Sequence, residues 1–375
     1  MKLLYLMTEP FGVGGVQSDM LALGPDLTAR GHDVFLATKE GELLPELEEK
    51  GVTFISADFH FSGLQGLWRA ARKLRAIVVA NQIEVLAPQS VRTTLVALVA
   101  LRILPFSYRV KLTGKRIPII TTIHNIHNPM HFRYGGWLLR AACDHVIFES
   151  HYERDRLLAS GLQAEKSVVI HSGIDTERFL PKEPELALLE EYGLDKSKHL
   201  IFGIVARLSE EKGHCFLLPA FAAVLETTPN ARLMVVGDGP LREDIHKQAL
   251  ELGLGENIIF TGVKRNIPDF LSIFDVFVLS STRESFPLAA REAMAAGRAV
   301  VAPRIGGCPE VVDDGVTGIL FEAGNVESLA TAMQNITSDK CHIAMGHAAR
   351  ERVERLFSRK QWIEGDESVY EASLL

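Results

Sequence analysis

The sequence predicts an α/β protein made of two tandem Rossmann-like, doubly wound domains facing each other across a cleft. Three observations carry this. Short apolar runs rich in Val, Ile, Leu and Phe alternate with helix-like stretches along the whole chain. Such continuous runs are the mark of strands buried on both faces of a parallel sheet. The alternation restarts once, after a charged, proline-containing stretch over residues 174–198. The length of 375 residues also favours two cores over one.

The first series opens with the strand "KLLYLMT", the glycine loop "FGVGGVQ" and a helix over "SDMLALGPDLTARG". Ser18 is the expected N-cap of that helix, and Gly24-Pro25 predicts a kink or break in it. Strand "DVFLAT", helix "GELLPELEEKG" and strand "VTFIS" follow, then "IEVLAP" and a long helix over "SVRTTLVALVALRIL". Strands "IPIITTIH", "HVIFES" and "SVVIHSG" complete the first half.

The second series has strands "LIFGIVAR", "RLMVVGD", "NIIFTG", "VFVLSS", "AVVAPR" and "GILFEAG". Helices such as "HCFLLPAFAAVLETT", "PLAAREAMAAG" and "VESLATAMQNI" separate them. The first domain is expected over residues 1–177 and the second over 178–356, with a last helix over 357–375. In sheets of this kind, ligands bind outside the carboxyl ends of the strands.

Composition excludes several classes. Apolar content is 47% and charged content 23%, as in ordinary soluble domains. The four cysteines are far apart with no C-x-x-C pair, which argues against a disulfide framework or zinc ribbon and fits a reducing compartment. The apolar opening stops at Pro10, too short for a signal peptide, and no run reaches the ~20 residues that span a bilayer. A cytoplasmic protein is expected. The net charge of −7 is uneven: residues 61–118 hold ten cations, from Arg69 to Arg116, against the single acid Glu84. Residues 69–116 therefore suggest an anionic partner, such as the inner membrane surface, or else a set of solvated helix faces.

The chemistry gathers at strand ends of the second domain. Arg207 ends "GIVAR", and Lys212 in "LSEEKG" stands just before a helix. Together they make a natural clamp for a diphosphate. Gly237 and Gly239 in "VVGDGP" either let a backbone approach a ligand closely or serve a turn. In "ESFPLAARE", Pro287 is expected in the first turn of a helix, with Glu284 on the loop and Glu292 one turn inside. The backbone between them, Ser285 to Leu288 through Phe286 and Pro287, lies at the positive end of a helix dipole. Carboxylates do not hold phosphate, but they accept paired hydrogen bonds from vicinal hydroxyls. A nucleotide-sugar, with a diphosphate between a ribose and a hexose, satisfies this whole set.

The array "ARLSEEKG", "VVGDGP", "FTG" and "ESFPLAAREAMAAGRAVVAPRIGGCPEVVDDGVTGILF" resembles glycosyltransferase family 4, the group 1 transferases of GT-B fold. "GGVQ", "TTIHN" and "SGIDTERF" extend the resemblance over nearly the whole chain. It implies retaining transfer of a hexose-type sugar from a UDP- or GDP-linked donor, with UDP favoured, to a glycan or lipid-linked hydroxyl. Cell-surface polysaccharide or glycolipid synthesis is the implied setting. By the same resemblance Glu292 holds the ribose hydroxyls, Glu284 faces the transferred sugar, and Arg207 and Lys212 neutralise the leaving diphosphate. Gly14 and Gly15 face the phosphates from the first, acceptor-side domain. His124 is the histidine of the active-site cleft. The last helix is expected to cross back onto the first domain. Three positions depart from the usual pattern: Ser285 for Gly, Gln17 for Glu and Ser172 for Asn.

No cofactor is expected, the nucleotide-sugar being a substrate. The sequence has no Asp-x-Asp pair for a diphosphate-bound metal, so the cationic clamp takes that place. His124, His127 and His131 have spacings that zinc could use, but loop histidines are the simpler reading. "FGVGGVQ" lacks the third glycine of a dinucleotide fingerprint, which disfavours a dehydrogenase. A nucleotide-sugar 2-epimerase and a non-catalytic nucleotide-sugar-binding protein remain the alternatives. No nucleic-acid partner is expected.

Overall fold

The computed structural model describes residues 1–12, 14–103, 116–124 and 129–375, except the side chains of residues 129–131 and 133. The chain divides into two units. The first comprises Met1–Ser172 with Arg359–Leu375, and the second Gly173–Ser358. The boundaries thus fall at 172 and 358, a few residues from the expected 177 and 356.

In the first unit, strands β1 (Lys2–Leu6), β2 (Asp33–Thr38), β3 (Thr53–Ser56) and β4 (Val85–Pro88) pair in the order β3-β2-β1-β4. Strands β5 (Ile120–Ile123), β6 (His145–Phe148) and β7 (Ser167–Val169) follow in chain order as a second group. Among the described residues a single parallel bridge, Leu86 to Ile119, joins the two groups. All these pairs are parallel. The pleat sends Leu4 and Leu6 into one core and Leu3 and Tyr5 into another, so both faces are covered.

Two expectations for the first unit are corrected. The helix Gly15–Ala29 starts at an N-cap of Gly14, not Ser18, which is exposed within it. It also runs through Pro25 without a break. Gly24 is buried there, so closely that a Cβ would come 2.5 Å from Met20 and 3.1 Å from Val52. The expected long helix is Val91–Leu98 followed by a π-helical turn, Val99–Ile103. Ser90 caps it by accepting from Thr93 N at 3.2 Å. Thr93, Val96, Ala97, Val99 and Ala100 are buried, so this helix is core rather than a membrane surface.

The second unit holds β8 (Leu200–Val205), β9 (Ala231–Val236), β10 (Ile258–Gly262), β11 (Val276–Val278), β12 (Ala299–Pro303) and β13 (Gly318–Phe321). Their order is β10-β9-β8-β11-β12-β13, all parallel. This is the doubly wound order, and it reverses between β8 and β11. Phe202, Ile204, Val276 and Val278 face one core, and Ile201, Phe277 and Val300 the other.

The last helix, Arg359–Ala372, packs within the first unit. Trp362, Ile363 and Tyr370 join the core beneath β1. Arg359 makes a two-pronged pair with Asp26, both contacts at 2.7 Å. The buried Tyr5 hydroxyl donates to that of Tyr370 at 3.1 Å. Replacing Tyr370 by Phe should cost about 1–3 kcal/mol, because the Tyr5 hydroxyl loses its partner in an apolar core. Tyr370→Ala should cost about 3–5 kcal/mol through the cavity it opens. Urea unfolding of the two variants checks both values; a Phe variant as stable as the parent refutes the first.

Candidate active site

The strand-order reversal of the second unit brings two loops side by side. One runs from the end of β8 through Arg207 to a 3₁₀ turn, Glu210–Lys212, and into the helix His214–Thr227. The other leaves β11, carries Ser281 and Glu284, and enters the helix Leu288–Ala295. Thr282 N donates to Glu211 O at 2.8 Å, and Ser280 Oγ to Lys212 O at 2.8 Å. Gly213 permits this contact. Its φ is 65°, and a Cβ there would lie 2.1 Å from the Ser280 carbonyl oxygen. From the other side, Gly306 (φ 54°) packs so closely that a Cβ would lie 1.6 Å from the Glu284 carbonyl oxygen.

Lys212 Nζ donates to Glu284 Oε1 at 2.7 Å, and Ser281 Oγ donates to the same oxygen at 2.7 Å. The pair is half-buried. The sequence reading gave these two residues separate partners, and the fold joins them directly. Arg207 is exposed on its loop and makes no ion pair among the described residues. Gly237 and Gly239 follow β9 and pack on that loop: Cβ atoms there would meet Ala206 O at 2.0 Å and Leu208 O at 2.4 Å. These contacts show the glycines supporting the Arg207 loop.

Pro287 is the N-cap of its helix rather than a first-turn residue, so the first helical N–H belongs to Leu288. Glu292 lies half-buried one turn inside. Ser285 and Phe286 are buried, and Phe286 meets Phe357 edge-on at 5.5 Å. Sequence reading missed the part of Arg291. This arginine is only 1% exposed, lies 4.2 Å from the Phe286 ring and reaches the Phe286 and Pro287 carbonyls at 3.4 Å. It stiffens the turn that leads into the helix. A buried charge inside the run "PLAARE" was the available signal.

In the first unit, Gly14 and Gly15 follow β1, beside the reversal between β1 and β4. Among the described residues nothing lies within 4 Å of a Cβ at Gly15, and the three atoms nearest a Cβ at Gly14 all belong to the Gln17 side chain. His124, at the end of β5, has partners on both ring nitrogens: Glu149 Oε1 at 2.9 Å from Nδ1 and Gln89 Oε1 at 2.8 Å from Nε2. Asp19 Oδ2 lies 3.5 Å from Nδ1. Burial opposes a charged ring, but the Glu149 charge and the bonds to Asp19 and Glu149 outweigh it, pushing the pKa up to about 10. Burial and the Glu149 charge push the neighbouring Asp366 up to about 8, against the pull of His124. Asp19, Gln89, Glu149 and Asp366 were not singled out from sequence. They come from four separate elements, and only the fold assembles them. His127 and the His131 side chain lie outside the described residues.

Part of the basic window is already paired. Arg102 and Arg116 both bind Asp144, at 3.2 and 2.7 Å. Arg109, Lys111 and Lys115 lie outside the described residues. Arg69, Arg72 and Lys73 are exposed along one face of the helix Gly63–Ala80, next to Trp68 and Leu64, which is 75% exposed. No helix of the described residues is long and apolar enough to cross a membrane.

Residues 190–354 match the family described as "Glycosyl transferases group 1", and residues 13–178 match "Glycosyltransferase Family 4". The lipopolysaccharide core biosynthesis mannosyltransferase LpsB of Rhizobium meliloti is 30% identical over 250 residues, 64% of this chain and 69% of that one. The N-acetyl-alpha-D-glucosaminyl L-malate synthase of Bacillus anthracis is 29% identical over 273 residues, 69% of each chain. The crystal structure of Anabaena Alr3699/HepE in complex with UDP matches with a TM-score of 0.84 at 22% identity, covering 99% of this chain and 100% of that one.

One residue beside Lys212 gives a pH signature. His214 is buried, and neither ring nitrogen has a hydrogen-bond partner among the described residues. Burial, helped by the Lys212 charge, lowers its pKa to about 4. The unfolded ring titrates near 6.5, so between these values the unfolded chain binds the extra proton. Stability from this group is complete above pH 6.5 and is lost as pH falls toward 4. The loss should be on the order of 3 kcal/mol. Thermal unfolding from pH 7 to pH 4 should show a steep acid decline in the parent and a shallower one in His214→Leu.

Proposed function

The chain belongs to glycosyltransferase family 4, the group 1 glycosyl transferases, and has their two-domain GT-B fold; we propose that it moves a hexose-type sugar, with retention, from a nucleotide diphosphate to a hydroxyl of a glycan or lipid-linked acceptor. The observation that carries the reading is the apposition of Lys212 and Glu284 at the β8/β11 reversal, with Arg207 on the same loop and Glu292 just inside the next helix. Two cations and a helix start suit a departing diphosphate. Two carboxylates suit the hydroxyls on either side of it.

In this reading the bond from the anomeric carbon to the β-phosphate oxygen breaks, and its electron pair leaves with the phosphate. Arg207 and Lys212 stabilise that charge without a diphosphate-bound metal. Glu284 orients Lys212 and accepts from the sugar hydroxyls, and Glu292 accepts from the ribose. Arg291 keeps Ser285, Phe286, Pro287 and Leu288 in place, with Leu288 supplying the N–H that Pro287 lacks. Gly237 and Gly239 hold the Arg207 loop, and Gly14 and Gly15 leave room for phosphates. The acceptor oxygen bonds to the anomeric carbon, and its proton passes to a leaving phosphate oxygen. His124 receives no proton-transfer role, since both its ring nitrogens are engaged. UDP is favoured as carrier by the UDP-bound structure that this fold matches.

Lys212→Ala and Glu292→Ala should each lower transfer at least ~100-fold while the unfolding midpoint stays close to the parent's. A donor and acceptor panel read by product mass checks this. Near-normal turnover in either variant refutes the site. Epimerised donor without transfer, or donor binding without turnover, refutes the reaction.

We further propose that the exposed face of Gly63–Ala80, with Leu64 and Trp68 beside Arg69, Arg72 and Lys73, rests on an anionic membrane surface near a lipid-linked acceptor. The protein should pellet with anionic vesicles but not with neutral ones, and Trp68→Ala should weaken pelleting. Equal, negligible pelleting with both removes the proposal.

A further inference from the structure

Two consecutive serines each hold one member of the Lys212–Glu284 ion pair. Ser280 and Ser281 follow β11, and both are buried. A buried hydroxyl requires a partner, and these two turn to different loops for theirs. Ser280 Oγ donates to the Lys212 carbonyl at 2.8 Å, so it holds the lysine by its backbone on the neighbouring loop. Ser281 Oγ donates to Glu284 Oε1 at 2.7 Å, so it holds the glutamate by its carboxylate on its own loop. Lys212 Nζ reaches that same oxygen at 2.7 Å. The two oxygens of Glu284 are therefore unequal. A carboxylate oxygen offers two lone-pair sites, and on Oε1 Lys212 and Ser281 fill both. Oε2 bonds to none of the described residues, yet it is not sealed from solvent. The Glu284 side chain is only 10% exposed, and Oε2 has a share of that opening. Lys212 gives one of its N–H groups to Glu284 and keeps the others for phosphate oxygens.

We propose that Ser281 is a positioning residue for choice of the donor sugar: with Lys212 it occupies Oε1 and leaves Oε2 as the one oxygen through which Glu284 reads a single donor hydroxyl. This rests on the transfer reading above and narrows it. A vicinal diol gripped with one hydroxyl per oxygen needs both oxygens of a carboxylate. Here one oxygen is committed to the protein, so the grip on a diol is closed and one hydroxyl is recognised. Ser281 touches no substrate and acts only through Glu284. Without its hydroxyl, Oε1 regains a lone-pair site and the carboxylate is free to turn about its last bond. A sugar of different hydroxyl arrangement then finds an acceptor, and the matching sugar loses its fixed one. A site built to bond a substrate hydroxyl rejects analogues that lack it, and such rejection requires a fixed acceptor. Ser280 has the corresponding part for Lys212, because it ties the lysine backbone to the strand end that carries Ser281.

The test reads binding, so its failure is separable from failure of the transfer reading. Calorimetry on the full chain compares UDP-glucose, UDP-galactose and GDP-mannose with UDP and GDP. For the donor that the parent binds most tightly, Ser281→Ala should lower affinity about tenfold, the worth of a hydrogen bond to a charged group. The free nucleotide, which has no sugar to read, should stay within about twofold and shows that the variant is folded. Should the alanine variant fail to bind UDP or GDP, Ser281→Cys, of similar shape and with a weak donor, takes its place. In Glu284→Ala, which has no carboxylate to hold, adding Ser281→Ala should change donor affinity by no more than about twofold. Among deoxy analogues of the preferred sugar, the analogue at one ring position should bind the parent and Ser281→Ala equally, and the others should keep the difference. Unaltered donor affinity in Ser281→Ala overturns the proposal, as do equal losses for donor and free nucleotide. Additive losses in the double variant, or sensitivity removed at two neighbouring ring positions, also overturn it. A parent that binds none of the three donors overturns the transfer reading, and this one with it.

Discussion

Everything at the candidate active site depends on two loops being able to touch where the strand order of the second unit reverses. Strands β8 and β11 are sheet neighbours but lie some 70 residues apart in sequence. Their loops meet by backbone contact, not by side-chain filling: Gly213 lies on the Ser280 carbonyl and Gly306 on that of Glu284. Close backbone approach leaves little slack, so the Lys212–Glu284 ion pair sits at a defined distance. A half-buried ion pair is a modest source of stability. Its value is positional, since each charge holds the other in place for a charged and hydroxylated ligand.

The same economy governs the apolar parts. Each sheet is covered on both faces, and alternate residues of β1 and β8 feed different cores. This is why the strands read as unbroken apolar runs, and why the thirteen strands of the described residues could be placed from sequence within a few residues. Long-range assembly was a different matter. Glu284 and Glu292 were readable because a strand, a proline and a helix surround them within nine residues. Asp19, Gln89, Glu149 and Asp366 carried no such local mark, being spread from residue 19 to residue 366. Pro25 and Ser18 misled for a related reason. Local rules favour a break and a cap there, but packing of Gly24 against Met20 and Val52 keeps one continuous helix.

Charge followed a similar course. The basic window read from sequence as one feature, yet the fold divides it. Arg102 and Arg116 are spent on Asp144, while Arg69, Arg72 and Lys73 remain on an open helix face. Composition gives the sum of charges over a stretch. Only the helix period and the position of Asp144 decide which of them a partner could meet.

The last helix has a consequence for how the protein is made. Residues 359–375 belong to the first unit, where Tyr370 and Trp362 close the core under β1. The second unit is contiguous, so during synthesis it is the first to have its whole sequence. The first unit, although begun earlier, must wait for nearly 200 further residues, roughly 10–40 s at common elongation rates. Over that interval Tyr5, Met20 and their neighbours lack part of their cover. The order in which the two units begin is thus the reverse of the order in which they can be completed, because residues 359–375 close the core that Met1 opens.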